Sequence, residues 1–111
     1  MYRVIVVIRK KVGMTREDFL EHWQVEHPEF VERLPGVRAY RQSAAIEHRK
    51  EWPFDGMAEL FFDSVGDIAR AFDGVAAREL FAHEEDFLED ATWFIADQGR
   101  DVPLASLPNK E

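Results

Sequence analysis

Residues 3–9 read RVIVVIR, and this run constrains the fold more than any other part of the chain. Its β-branched residues favour an extended strand. Side chains on a strand alternate between faces, so Val4, Val6 and Ile8 share one face while Ile5 and Val7 share the other. A strand apolar on both faces has to be covered on both. Any fold for this chain therefore needs one layer above that strand and another below it.

The rest of the sequence supplies one of those layers. A charged turn ends in Gly13, and Thr15 then opens a helix with Asp18 as its capping-box partner. Apolar positions at Phe19, Leu20, Trp23, Phe30, Val31 and Leu34 mark a covered helical face, and LPG at 34–36 stops it. Residues 37–48 predict a second strand and 54–63 a third, joined through the polar segment RKEWP. Ser64 caps a second helical region over 64–90, broken near Gly74 and again near His83, and residues 91–98 predict the last strand. The order β-α-β-β-α-β is the split-βαβ, ferredoxin-like α+β arrangement, with a four-stranded antiparallel-type sheet. Right-handed crossovers put both helices on one face of that sheet. The other face stays open although its residues are apolar, and a second copy of the chain covers it most simply. The expectation is a homodimer whose two sheets meet to form a dimeric α+β barrel. Residues 1–99 read as one domain and 100–111, with two prolines, as an irregular tail.

Composition narrows the function classes. With 111 residues and no cysteine, the chain builds one modest core and has no disulfide, thiolate nucleophile or Cys-ligated zinc. A net charge of −8, from 22 acids against 14 bases, argues against nucleic acid or an anionic membrane surface as partner. The N-terminal apolar run is too short for a signal peptide, and nothing approaches the ~20 apolar residues of a membrane span. A cytoplasmic location is expected.

The chemistry-bearing residues are few. Phe19, Trp23 and His27 are spaced by four, so His27 falls on the stripe that faces the sheet. Pro28 follows it, cannot donate to the carbonyl of Gln24, and is expected to push His27 away from helical dihedrals. His27 is then either a packed histidine bonded to backbone at a kink or a proton carrier in a small cavity. His22 lies five residues earlier, about 140° round a regular helix, which rules out a shared ligand with His27 and suits a surface ion pair with Glu26. No metal site is expected. Glu59 shares a strand face with Met57 and Phe61. Either it pairs with an arginine, Arg41, Arg38 and Arg9 being available, or it lines a pocket, where burial raises a carboxylate's pKa. His83 opens the run HEED, whose acids read as a solvated turn; a haem ligand there has no other support in the chain. Trp23, Tyr40 and the phenylalanines are core or pocket wall. No Gly-rich phosphate loop, G-x-S-x-G or serine beside a histidine is present.

KKVGMTREDFLEHWQVEHPEFVERLPGVRAYRQ, with FDGMAELFFDS and FAHEEDFLEDATWFIADQ, resembles the EthD family of small dimeric α+β barrel proteins, over nearly the whole chain. The most specific parts are K-x-G-M-[ST]-x-E-x-F-x-x-H-W, the following L-P-G and D-G-x-A-E-L-x-F-D-S. That family takes its name from a bacterial ether-degradation cluster in which its founder accompanies a cytochrome P450 system, so its members are loosely classed with oxidoreductases. Relatives on the same barrel include cofactor-free isomerases, quinol-forming monooxygenases and polyketide cyclases acting on small aromatic or lactone-like molecules. The resemblance implies His27 as the polar pocket residue and Glu59 as the accompanying strand acid. One departure stands out: the family's proline comes two residues after that histidine, whereas Pro28 is adjacent and Glu29 takes the expected place.

Together these readings predict a protein that binds a small cyclic, aromatic or lactone-like oxygenated compound between helices and sheet, in catabolism or secondary metabolism. His27 and Glu59 would carry acid–base or oxidative chemistry without a cofactor, and Trp23, Tyr40 and Phe61 would shape the wall. The alternative is a non-catalytic accessory protein of a monooxygenase pathway that binds the same kind of molecule.

Overall fold

The computed structural model describes residues 1–105. Its strands are β1 (Tyr2–Lys10), β2 (Ala39–Ala44), β3 (Gly56–Phe62) and β4 (Leu88–Ala96). They form one sheet in the order β2-β3-β1-β4, every neighbouring pair antiparallel. Between β1 and β2 run α1 (Arg16–Leu20), a π-helical segment (Glu21–Glu26) and α2 (His27–Glu32). Between β3 and β4 run α3 (Val65–Ala71) and α4 (Val75–Glu84). This is the expected ferredoxin-like β-α-β-β-α-β order.

Local chemistry explains the ends. Thr15 Oγ1 accepts from the Asp18 N–H and Ser64 Oγ from the Asp67 N–H, each satisfying a donor that a helix start leaves free. Gly74 interrupts the second helical region where the sequence placed a break. The last strand starts earlier than expected, at Leu88 rather than Ala91. The chain turns over 84–87 with the Phe87 N–H on the Glu84 carbonyl and the Lys11 N–H on the Phe87 carbonyl. That turn drops Phe87 into the core and brings Leu88 into register with Lys10. β2 is shorter than the expected 37–48.

The core lies between the sheet and the helices. Val4, Ile8, Ala58, Leu60 and Phe62 on the inner sheet face meet Phe19, Trp23, Val31, Ile68 and Leu80. Residues 100–105 form no helix or strand, and the remainder of the expected tail, 106–111, lies outside the described residues. Among the described residues no helix is long and apolar enough to cross a membrane.

Candidate functional site

The helix leading to the site solves the proline problem by widening. Through the π-helical segment, bonds run from i to i−5, so the His27 N–H donates to the His22 carbonyl. Pro28 then falls in the first turn of α2, where a missing N–H costs little. His27 therefore keeps helical dihedrals, φ −66° and ψ −32°, contrary to the expectation that Pro28 would displace it. The carbonyl that Pro28 would have met in the i−5 register belongs to Trp23, and it accepts instead from Gln42 Nε2 at 2.7 Å. In a 3.6-residue helix, four residues advance ~400°, so a stripe spaced by four drifts ~40° per step. The wider turn offsets that drift and keeps Phe19, Trp23, His27 and Val31 all buried on one face.

That face borders a cavity of about 400 Å³ between helices and sheet, within the ~300–1,000 Å³ range of small-molecule pockets. Its floor is open because Ala58 and Val6, paired in the middle of the inner sheet face, are small, as is Ala91 beside Ile8, while Trp93, next to Val6 in register, lines the cavity with a large ring. Trp23 closes one end so tightly that a Cβ on Gly56 would come within 2.6 Å of its ring.

Polar groups in this apolar space come from His27, Tyr40 and Glu84. His27 is 4% exposed. Its Nδ1 lies 2.9 Å from His83 Nδ1, which leaves Nε2 on the side of Glu84, 3.5 Å from Oε2. Tyr40's oxygen accepts from Gln42 Nε2 at 2.7 Å, so its own O–H remains available to donate. Burial, with the Glu84 carboxylate adding to it, pushes this phenol up to about 12 and keeps it neutral at physiological pH.

Behind His27 the imidazoles continue. His83 Nε2 lies 3.2 Å from Glu26 Oε1, and His22 Nδ1 lies 2.9 Å from the same oxygen. Phe30 stacks on His83 with centroids 4.4 Å apart, and Phe87 stacks on His22 at 5.6 Å. These contacts hold the rings in place. Both His partners, His83 first and then His22, hold the Glu26 carboxyl below its ordinary value. His22, Glu26 and His83 bring metal-ligating atoms within 4.8 Å of one another, but the shared Glu26 oxygen already bonds both rings. His83 has both nitrogens engaged, which leaves it none to offer a haem iron.

The sequence-predicted residues are thus divided. His27, Trp23 and Tyr40 meet at the cavity. Glu59 and Phe61 do not: β3 alternates, so both sit on the outer sheet face. Glu59 bonds Arg3 at 2.8 Å and faces Arg41 at 3.9 Å; it takes the ion-pair role, with Arg3 rather than Arg9 or Arg38 as its main partner. His22 does pair with Glu26, but the π-helical turn brings it towards His83 and not to an isolated surface site. Sequence reasoning weighed His83 only as a haem ligand and passed over Glu84 and Gln42 as site residues. The signals were there: Gln42 alternates with Tyr40, and His83 and Glu84 follow Leu80 by three and four on a helix, hidden inside an acidic run.

Solved structures share this fold at low sequence identity. An EthD family protein from Bacillus halodurans aligns with TM-score 0.76 and 18% identity, covering 89% of this chain and 99% of its own. A dimeric ferredoxin-like protein of unknown function from Thermobifida fusca aligns at 0.69 and 17%, over 86% and 88% of the two chains. A Dabb family protein with a ferredoxin-like fold from Mesorhizobium loti aligns at 0.65 and 16%, over 93% and 96%. No curated protein matches the sequence significantly. The sequence itself matches the EthD domain over residues 11–91, and the chain belongs to the EthD family.

Proposed function

We propose that this protein binds a compact cyclic, aromatic or lactone-like oxygenated molecule in the cavity and that His27 moves a proton on it. The observation that carries this reading is the placement of one imidazole nitrogen, one neutral phenol and one carboxylate around an otherwise apolar space. His27 Nε2 takes a proton from a carbon next to a carbonyl. The Tyr40 O–H donates to the carbonyl oxygen as negative charge develops there, and Glu84 stabilises the imidazolium. Returning the proton to a different carbon completes an isomerisation; where the carbanion instead attacks a second carbonyl carbon of the same molecule, the proton goes to the alkoxide oxygen so formed and a ring closes. A second copy of the chain covers the outer sheet face, where Ile5, Val7, Met57, Phe61 and Phe94 are apolar; Phe94 is 58% exposed. The dimeric Thermobifida relative supports that arrangement.

A thermal-shift panel of lactones, quinones, phenols and short β-keto compounds tests the reading, with His27→Ala alongside. A ligand binding only the native state raises stability by about 2.7 kcal/mol at a hundredfold excess over Kd. Shifts confined to one chemical class, followed by turnover that falls about 10²- to 10⁴-fold in His27→Ala, are the expected result. Binding without any turnover would reduce the protein to a carrier that delivers its ligand to a monooxygenase. Silence across the panel would remove the pocket from the argument.

A further inference from the structure

We infer that His83 and Glu26 lock His27 into one tautomer and form a proton path from the cavity to solvent. The inference rests on the reading of His27 as the proton carrier and names the residues that position it. A carboxylate only accepts hydrogen bonds, so His83 Nε2, facing Glu26 Oε1 at 3.2 Å, carries a proton. In a neutral His83, Nδ1 is then bare and accepts. Its partner at 2.9 Å is His27 Nδ1, which must therefore be the protonated nitrogen. A neutral His27 with its proton on Nδ1 has a lone pair on Nε2, the nitrogen on the cavity side. Glu84 Oε2 faces that nitrogen at 3.5 Å without forming a hydrogen bond and pulls the other way, so the lock rests on the two shorter bonds through His83 outweighing it. Glu26 thus acts on His27 through His83, making both of them positioning residues.

The same contacts describe where an abstracted proton goes. When His27 Nε2 gains a proton from substrate, the Nδ1–H bond of His27 breaks and the proton forms a bond to His83 Nδ1. His83 becomes the imidazolium, flanked by Glu26. Its Nε2 proton then passes to Glu26, whose carboxylate is 45% exposed and delivers it to water. One proton enters at Nε2 of His27 and one leaves at Glu26, with His27 left in the opposite tautomer until a proton returns along the chain. A reaction that hands the same proton straight back to its substrate needs only His27, whereas one in which the proton exchanges with solvent before another is returned to the substrate uses the whole chain. His22 hangs from the same Glu26 oxygen but lies off this path.

Histidine tautomers are directly readable without a substrate, by long-range proton–nitrogen correlation on the protein labelled with nitrogen-15 in its histidines. The expected spectrum at neutral pH shows His27 protonated on Nδ1 and bare on Nε2. In Glu26→Ala, His83 loses the acceptor that fixes it, and the His27 signals move towards the Nε2–H tautomer. His22→Ala, which removes the other partner of Glu26, leaves His27 unchanged. A wild-type His27 carrying its proton on Nε2 overturns the inference, with no variant required. So does an equal response to Glu26→Ala and His22→Ala, which would mean general loosening. A locked tautomer in a protein that binds nothing on the panel would sink the proposed function and leave the lock standing.

Discussion

The two faces of this sheet are made from the same strands and hold their charges in opposite ways. Across the outer face, Arg41, Glu59, Ile5 and Phe94 lie side by side in register. There the carboxylate of Glu59 is taken up by Arg3 and Arg41 and leaves nothing free for a ligand. Across the inner face, Gln42, Ala58, Val6 and Trp93 occupy the adjacent row. Ala58 and Val6 leave space in the middle of that row, and the polar groups around it are arranged in a line rather than cancelled in pairs. A shift of one residue along β3 separates a structural carboxylate from a cavity wall. A buried acid on a strand therefore says little about function until its face is known.

The sharpest way to break this comparison uses neighbouring residues of one type. Phe62 is fully buried on the inner face while Phe61 belongs to the outer one. Phe62→Ala is expected to cost about 3–5 kcal/mol, as large core truncations do, and to do so at any protein concentration. Phe61→Ala should cost less in the isolated chain and act mainly by weakening a dimer. Urea denaturation at low and high protein concentration, with sedimentation of each variant, reads both effects. Equal losses that ignore concentration would mean that the outer face is not an interface.

Tyr40 offers the next largest effect. Its folded value of about 12 lies above the ordinary 10.0. A raised phenol contributes stability that is whole below pH 10 and is lost as pH climbs through the folded value. A difference of two units corresponds to about 2–3 kcal/mol. Tyr40→Phe should lack this alkaline loss, so its stability relative to wild type improves between about pH 10 and 12. A constant gap over that range would show that the phenol is not held neutral in the cavity.

Gly56→Ala tests the cavity's end wall. The added methyl meets the Trp23 ring at 2.6 Å, and overpacking of this kind costs about 1–3 kcal/mol. If Trp23 instead swings into the cavity to make room, stability recovers while ligand binding is lost. Calorimetric unfolding, read beside the ligand panel, separates those outcomes.

These effects also show what the sequence could reveal. RVIVVIR, the spacing of Phe19, Trp23 and His27, and the caps at Thr15 and Ser64 are local patterns, and each is found where it was read. His27 at the cavity was legible because helical periodicity assigns it a face, whereas Tyr40 was named only as one aromatic among several that could form core or pocket wall. The π-helical turn was not, since it answers a conflict between Pro28 and a stripe spaced by four that only tertiary packing resolves. His83 lies 56 residues from His27. No spacing rule joins them, and their contact depends on α2 lying against α4. Glu59 misled because a strand acid beside a histidine in a family pattern suggests one site, while its own parity with Phe61 placed it on the other face.

The smallest effect bears on the outer end of the histidine chain. Glu26 titrates below its ordinary 4.5 because His83 and then His22 bond its carboxylate. A depressed carboxyl contributes stability present above pH 4.5 and lost as pH falls through its lowered folded value. Wild type should therefore melt slightly above Glu26→Gln near neutrality, and the gap should close as the solution is acidified below that point. Because the group is solvent-exposed, the gap is expected to be modest and to shrink with salt. Glu59→Gln makes the contrast, since it leaves Arg3 beside a neutral amide on the outer face and touches no histidine. A gap for Glu26→Gln that stays flat with pH would mean that its bonds to His22 and His83 do not form in solution. The acidic end of the chain would then be an ordinary surface group, and His27 would have to find its proton partner inside the cavity.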